Sequence, residues 1–231
     1  MGRIVLLLLL GLSLTAAPAI AQNDVFLLGF AGFDYQVQPP PPGAGNYLVL
    51  GSGYKTLGFV TEFGDLLQPH VTPALNEYTY YYSDLTVVDY QFDGNVLVVL
   101  FGNPGRGRFF EDSRASGTPA QYGVFPPNAT APSDFIDGTL ILGGHIDDMS
   151  LWYDYNWNQG GFTGSISFDE GTLLGFIPLA QRDGWTLAGL AGRPNPSVPD
   201  GYDHQISGEC RIPGPTPAQH KTWGAIKALY R

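Results

Sequence analysis

The chain has 231 residues, of which 11 are basic and 21 acidic, for a net charge of −10; only 14% are charged, against about 25% in an ordinary soluble domain. With 31 glycines, 19 prolines and 13% aromatics, it is not a helical bundle, whose helices tolerate few Gly or Pro. At 44% hydrophobic it is not disordered either, and the acidic excess excludes a nucleic-acid partner, since phosphate neutralisation needs surplus Lys and Arg.

The first 21 residues read as a secretory signal. Arg3 supplies the positive start, Ile4 to Leu14 is an apolar run, and Ala19-Ile20-Ala21 gives the small-x-small cleavage pattern. Cleavage after Ala21 starts the mature chain at Gln22 and sends it to the cell envelope or beyond. The apolar run of about 11 residues is short of the ~20 that span a bilayer, and no later segment is long and apolar enough to span.

Residues 22–212 carry the periodicity of strands. An N-terminal strand, Val25–Val37, precedes a stiff connector, Pro39–Pro42, that separates it from the body. Glu77 to Phe101 is the clearest hairpin, turning at Asp93-Gly94, where both central residues tolerate positive φ. Within it Tyr78, Tyr80 and Tyr82 share one face, open as a ligand platform or self-association face but expected to stabilise the sheet through cross-strand pairs. Asp-Gly recurs at Asp137-Gly138, Asp183-Gly184 and Asp200-Gly201, at spacings too irregular for a solenoid or propeller. Further strands are expected at Tyr47–Leu50, Leu57–Phe63, Arg106–Phe110, Thr139–Gly143, Thr163–Phe168, Leu173–Pro178, Trp185–Leu190 and Tyr202–Ile212. The expected fold is all-β, a single antiparallel β-sandwich or jelly roll with a short C-terminal helix.

The aromatic segment from Trp152 to Gly161 is the leading site candidate. Trp152, Tyr153, Tyr155 and Trp157 offer ring faces for sugar C–H groups, and Asn156 and Asn158 offer amide edges for hydroxyls; the competing reading buries the rings in the sheet. Asp154, Asn156 and Asn158 start like a calcium loop. Gln159 stands where Gly is required and Ser165 where a bidentate Glu is required, so an EF-hand is rejected. A looser Ca²⁺ site using Asp147, Asp148 or Asp154 stays open. Cys210, the only cysteine, cannot pair within the chain and reads as a small buried hydrophobe.

A Pro-rich linker, residues 213–221, leads to a tail, residues 222–231, with Trp223, Ile226, Leu229 and Tyr230 at helical spacing and Lys221, Lys227 and Arg231 making it basic. This is a terminal helix packed on the body or a detachable sorting tag. The stretch P-P-N-A-T-A-P-S-D-F-I-D-G-T-L-I-L (Pro126–Leu142) and the terminal W-G-A-I-K-A-L-Y-R resemble segments of uncharacterised secreted β-rich proteins of environmental bacteria. The resemblance implies a bacterial cell-envelope setting and carries no activity.

Catalytic motifs are sparse. There is no G-x-S-x-G or H-E-x-x-H, and His70, His145, His204 and His220 lack metal-ligand spacing. His145-x-Asp147 and Asp203-His204 come nearest to a site, and such pairs are usually surface or capping groups. Glycoside hydrolysis needs two facing carboxylates, with Glu62, Glu77, Glu111, Asp112, Asp169 and Glu170 as the available set. Asn128-Ala129-Thr130 fits a glycosylation acceptor. Three functions follow in order: a non-catalytic surface module engaged in self-association; a module binding surface glycan; and a secreted glycan hydrolase or lyase.

Overall fold

The structure, a computed structural model, describes residues 24–38, 49–102, 104–123, 132–193 and 198–212. The signal segment, the Pro39–Pro42 connector, Asn128-Ala129-Thr130, the linker and the tail lie outside them. The described residues form one compact unit. Its strands are β1 (Val25–Gln36), β2 (Gly53–Phe63), β3 (Asn76–Asp93), β4 (Val96–Gly102), β5 (Gly105–Ser113), β6 (Thr139–Asp154), β7 (Gln159–Glu170), β8 (Trp185–Gly192) and β9 (His204–Ile212), with a four-residue helix, α1 (Ser133–Ile136). Among the described residues no helix is long and apolar enough to cross a membrane.

All strand pairings are antiparallel, and they close. β1 pairs with β2 on one side and β9 on the other, β2 pairs with β3, and β6 to β9 follow as a meander. Between β3 and β6 lie both β4 and β5, end to end: β5 pairs with Asn76–Ser83 of β3 and Thr139–Ile146 of β6, β4 with the remainder of each. The two short strands fill one position, so the wall is an eight-position up-and-down barrel. Asp84 and Asp148, both at positive φ (61° and 53°), bulge the long strands near the β4–β5 break.

The barrel corrects the sandwich expectation. Alternation and turn spacing are the same in both architectures, and the difference is one pairing, Val25–Asp34 with His204–Ile212. That pairing also makes β1 an integral wall strand, not an element set apart from the body. Two local corrections accompany it. Leu173–Pro178 contributes a 3-10 turn (Leu174–Phe176) instead of a strand. The β3–β4 turn is centred on Gly94 and Asn95, with Asp93 still paired to Val96 and Gly94 alone at positive φ.

The interior is packed, not a pore. Phe30, Tyr80, Tyr82, Phe109, Ile166 and Trp185 are essentially fully buried within it, so the tyrosine ladder of β3 faces inward. Gly58 permits the close approach of β1 and β2, since a Cβ there would lie 2.2 Å from the Ala31 carbonyl oxygen. The end where β1 begins is plugged by Leu67, Val71, Leu173 and Ile177 from two loops. A second apolar cluster covers part of the outer wall: Tyr35, Leu57, Tyr81 and Phe110 lie beneath Phe135 and Tyr202, with Phe33, Phe59 and Tyr122 at the margins. Strands β1 to β3 are therefore apolar on both faces, and polarity alternation alone does not say which face is inside.

Candidate functional site

Strand alternation divides the aromatic segment. Successive side chains on β6 point to opposite faces, so Trp152 faces outward at 47% exposure while Tyr153 faces inward at 3%. Beyond β6 the chain turns through Tyr155 to Asn158. Tyr155 packs against Tyr153, ring centroids 5.2 Å apart, and Asn156 N–H donates to Asp154 Oδ1 at 2.8 Å. Asn158 takes positive φ (49°), and Trp157 stands 73% exposed. One sequence cluster thus feeds two sites.

The first is an outer-wall groove of about 690 Å³, with Trp152 and Trp157 beside Asn158, Gln159, Arg193 and Gln205. Its floor follows from the register. Val98 lies opposite Trp152, Trp152 opposite Gly161, and Gly161 opposite Leu190. A Cβ on Gly161 would meet the Trp152 Nε1 at 3.0 Å, so the indole lies over a bare stretch of backbone. The result is an apolar platform bordered by amides and a guanidinium, with no carboxylate in its lining.

The second site is a cavity of about 90 Å³ at the barrel end where β1 finishes. Asp34 of β1, with no exposed surface, is its anchor. The Tyr54 hydroxyl donates to Asp34 Oδ2, the His204 backbone N–H donates to Oδ1 at 2.5 Å, and His204 Nδ1 lies 3.0 Å from Oδ2. An ionised carboxylate only accepts, so Nδ1 carries the proton and Nε2 is the ring's other nitrogen, free of any described hydrogen-bond partner. The Tyr153 ring packs on the imidazole at 4.5 Å. Next to it, Asp203 Oδ2 accepts the Gln36 N–H at 3.1 Å, leaving Oδ1 without a described hydrogen bond. Arg193 lines both this cavity and the groove, as does Asn158.

The charges perturb one another. Burial and the Asp34 charge push the Asp203 carboxyl up to about 6, against the pull of His204, the Gln36 N–H and Arg193. Burial disfavours the His204 imidazolium, but the Asp34 carboxylate outweighs it, so His204 sits above its ordinary value. Burial, then Asp34, holds the Tyr54 phenol well above the usual range.

The Asp203-His204 dipeptide, expected to be a surface or capping pair, is half-buried at this centre, where Asp203 caps the Gln36 N–H and His204 meets the fully buried Asp34. Asp34 was not legible as its partner, since contact comes only through barrel closure across 170 residues. Asp147, Asp148 and Asp154 do not converge: Asp147 faces Ser165 and Asp154 faces Gln159, about 20 Å apart at strand rise. Among the described residues no three His, Cys, Asp or Glu side chains gather as a metal site. Of the proposed hydrolase carboxylates, Glu77 and Asp112 stand opposite each other, but each already accepts a backbone N–H, from Ala120 and Ser113 respectively. Asp169 and Glu170 are paired with Arg106, and Glu111 accepts the Tyr78 hydroxyl. Cys210 is buried. In comparisons with protein-family models, with curated proteins and with solved structures, nothing matches this chain.

Proposed function

We propose that the protein is an exported carbohydrate-binding barrel whose outer groove holds a glycan chain against Trp152 and Trp157. The observation that carries this reading is the exposure of both indoles within one groove whose other side chains are amides, a hydroxyl, Leu190 and Arg193. Large exposed rings are costly to keep in water and pair naturally with the C–H face of a sugar, while Asn158, Gln159 and Gln205 meet its hydroxyl edge. Arg193 makes no ion pair with a described residue, and the groove lacks carboxylates despite the chain's net charge of −10. Neutral and acidic sugars are therefore both admitted, and cationic ones are not. Glycan-array binding followed by calorimetry tests this, with Trp157→Ala expected to weaken binding about tenfold or more, the scale of one lost aromatic anchor, and no binding to any glycan overturning it.

Self-association has less to work with. Closure pairs β1 with β9, removing the free sheet edge that strand addition requires. The outward row of Val98, Trp152 and Leu190, with Leu100 beside Val98 on β4, is its support on this face. A concentration-dependent mass that Trp152→Glu abolishes, without glycan binding, transfers the groove to a protein contact.

A further inference from the structure

The cavity at the barrel mouth is lined by the Asp203 carboxylate and the His204 imidazole, neither of which the glycan groove uses, with the Asp34 carboxylate behind the imidazole and Arg193 shared with the groove. Keeping such a cluster beneath Tyr54, Tyr153 and Tyr155 costs stability unless the charges pair well, and one pairing is unusually complete. Asp34 is sealed from water and spends both oxygens on Tyr54 and His204. It orients the His204 ring and sustains its charge. Each of the two cavity-lining residues His204 and Asp203 has one polar side-chain atom with no described hydrogen-bond partner, Nε2 and Oδ1 respectively.

We infer that this cavity is an acid–base site that enolises a small hydroxycarbonyl compound, with Asp203 as the base and the His204 Nε2–H as the acid at the carbonyl oxygen. The inference does not depend on glycan binding in the groove. Asp203 Oδ1 takes a proton from the carbon beside the carbonyl. The C–H electron pair becomes the new C=C bond, the carbonyl π pair moves to oxygen, and that oxygen receives the Nε2 proton. Return of the proton to the same carbon after exchange with solvent replaces its hydrogen; delivery of the Asp203 proton to the former carbonyl carbon, with the deprotonated Nε2 taking the proton of the other hydroxyl as the new C=O forms, isomerises the compound and restores both groups. Neither outcome consumes an oxidant, reductant or second substrate.

The protonation states suit these roles. Asp203, pushed up to about 6, is ionised above that pH, and His204, held above its ordinary value, is still protonated there. The reactive pairing is thus the dominant form from about pH 6 up to the raised His204 value, where a base of this strength is effective. The titratable or charged groups facing the pair are Asp34 from β1, Tyr54 from β2, Tyr153 and Tyr155 from the end of β6, and Arg193 after β8. Both tyrosines with buried phenols, Tyr54 and Tyr153, are raised and stay neutral across this range. A cavity of about 90 Å³, about three waters' worth, limits the reacting part to three or four carbons.

The experiment is ¹H NMR of hydroxyacetone in D₂O, following loss of its methylene and methyl signals with the full mature chain. Wild type is expected to accelerate exchange at least about tenfold over buffer, with a rate that rises through about pH 6 and falls at higher pH. Asp203→Asn and His204→Gln are each expected to lower the rate about 100-fold, the usual scale for one general acid or base. His145→Gln, on the outer wall, leaves it unchanged. Asp34, acting through His204, is a positioning residue, and Asp34→Asn is expected to move the alkaline limb to lower pH; a merely structural role would leave the profile in place. Wild-type exchange equal to buffer, or equal to Asp203→Asn, overturns the assignment. Should a variant fail to fold by circular dichroism, the wild-type rate and its pH profile still decide.

Discussion

Replacing Asp203 by Asn should stabilise the protein at neutral pH, although it removes a partner of the buried charge cluster. The carboxyl is raised from 3.8 to about 6, so the native state holds its proton more tightly than the unfolded chain does. A raised group contributes its stability fully below the unfolded value and loses it as pH climbs through the folded one. At 1.36 kcal/mol per unit, a shift of this size means that above about pH 6 the native state is weakened by at most about 3 kcal/mol through keeping Asp203 ionised. Asn avoids that penalty and retains an oxygen for the Gln36 N–H. Part of the gain is returned, because Asp203 also supports the His204 charge. The expected net is about 1–3 kcal/mol in favour of the variant near pH 8, shrinking to nothing near pH 4. In a unit of this size each kcal/mol raises Tm by about 2–4 °C. Urea unfolding at the two pH values, with the slope m unchanged, measures it. A variant that is less stable by the same margin at both pH values would refute the reasoning and make Asp203 an anchor for β1. Stabilisation together with lost exchange would mark a residue kept for chemistry at the expense of stability.

Phe135→Ala should cost about 3–5 kcal/mol, because the ring is fully buried in the outer cluster, 5.2 Å from Tyr122 and 5.4 Å from Phe59; chemical denaturation gives the value, and faster proteolysis at residues 114–138 should accompany it. Tyr82→Phe should be neutral to stabilising by about 1 kcal/mol, since the buried Tyr82 hydroxyl has no hydrogen-bond partner among the described residues; thermal unfolding checks the sign. Trp157→Ala, with its ring 73% exposed, should leave Tm within about 1–2 °C of wild type, as expected for a surface substitution, so any loss of glycan affinity is a loss of contact and not of fold.

Much of this molecule was legible along the chain. Period-two alternation located β3, β4, β8 and most of β1 and β9, because a pleated strand sends neighbouring side chains to opposite faces whatever the fold. The Asp-Gly pairs marked turns, with Gly94, Gly184 and Gly201 at positive φ, because only a residue without Cβ enters that region freely. The aromatic segment at Trp152–Asn158 stood out along the chain as a candidate site, and alternation divides it between an outer groove and an inner cavity. Tertiary structure decided the rest. Sandwich and barrel share their local signals, and the choice rests on β1 meeting β9, a pairing between chain ends that no local preference encodes. Inside and outside could not be assigned for β1 to β3, since a second apolar cluster covers their outer face. For the same reason Asp34, an isolated acid in an aromatic strand, carried no signal until closure set it against His204. Local sequence determines which residues share a face; only closure determines which distant residues share a cavity, and there burial makes charge chemically consequential.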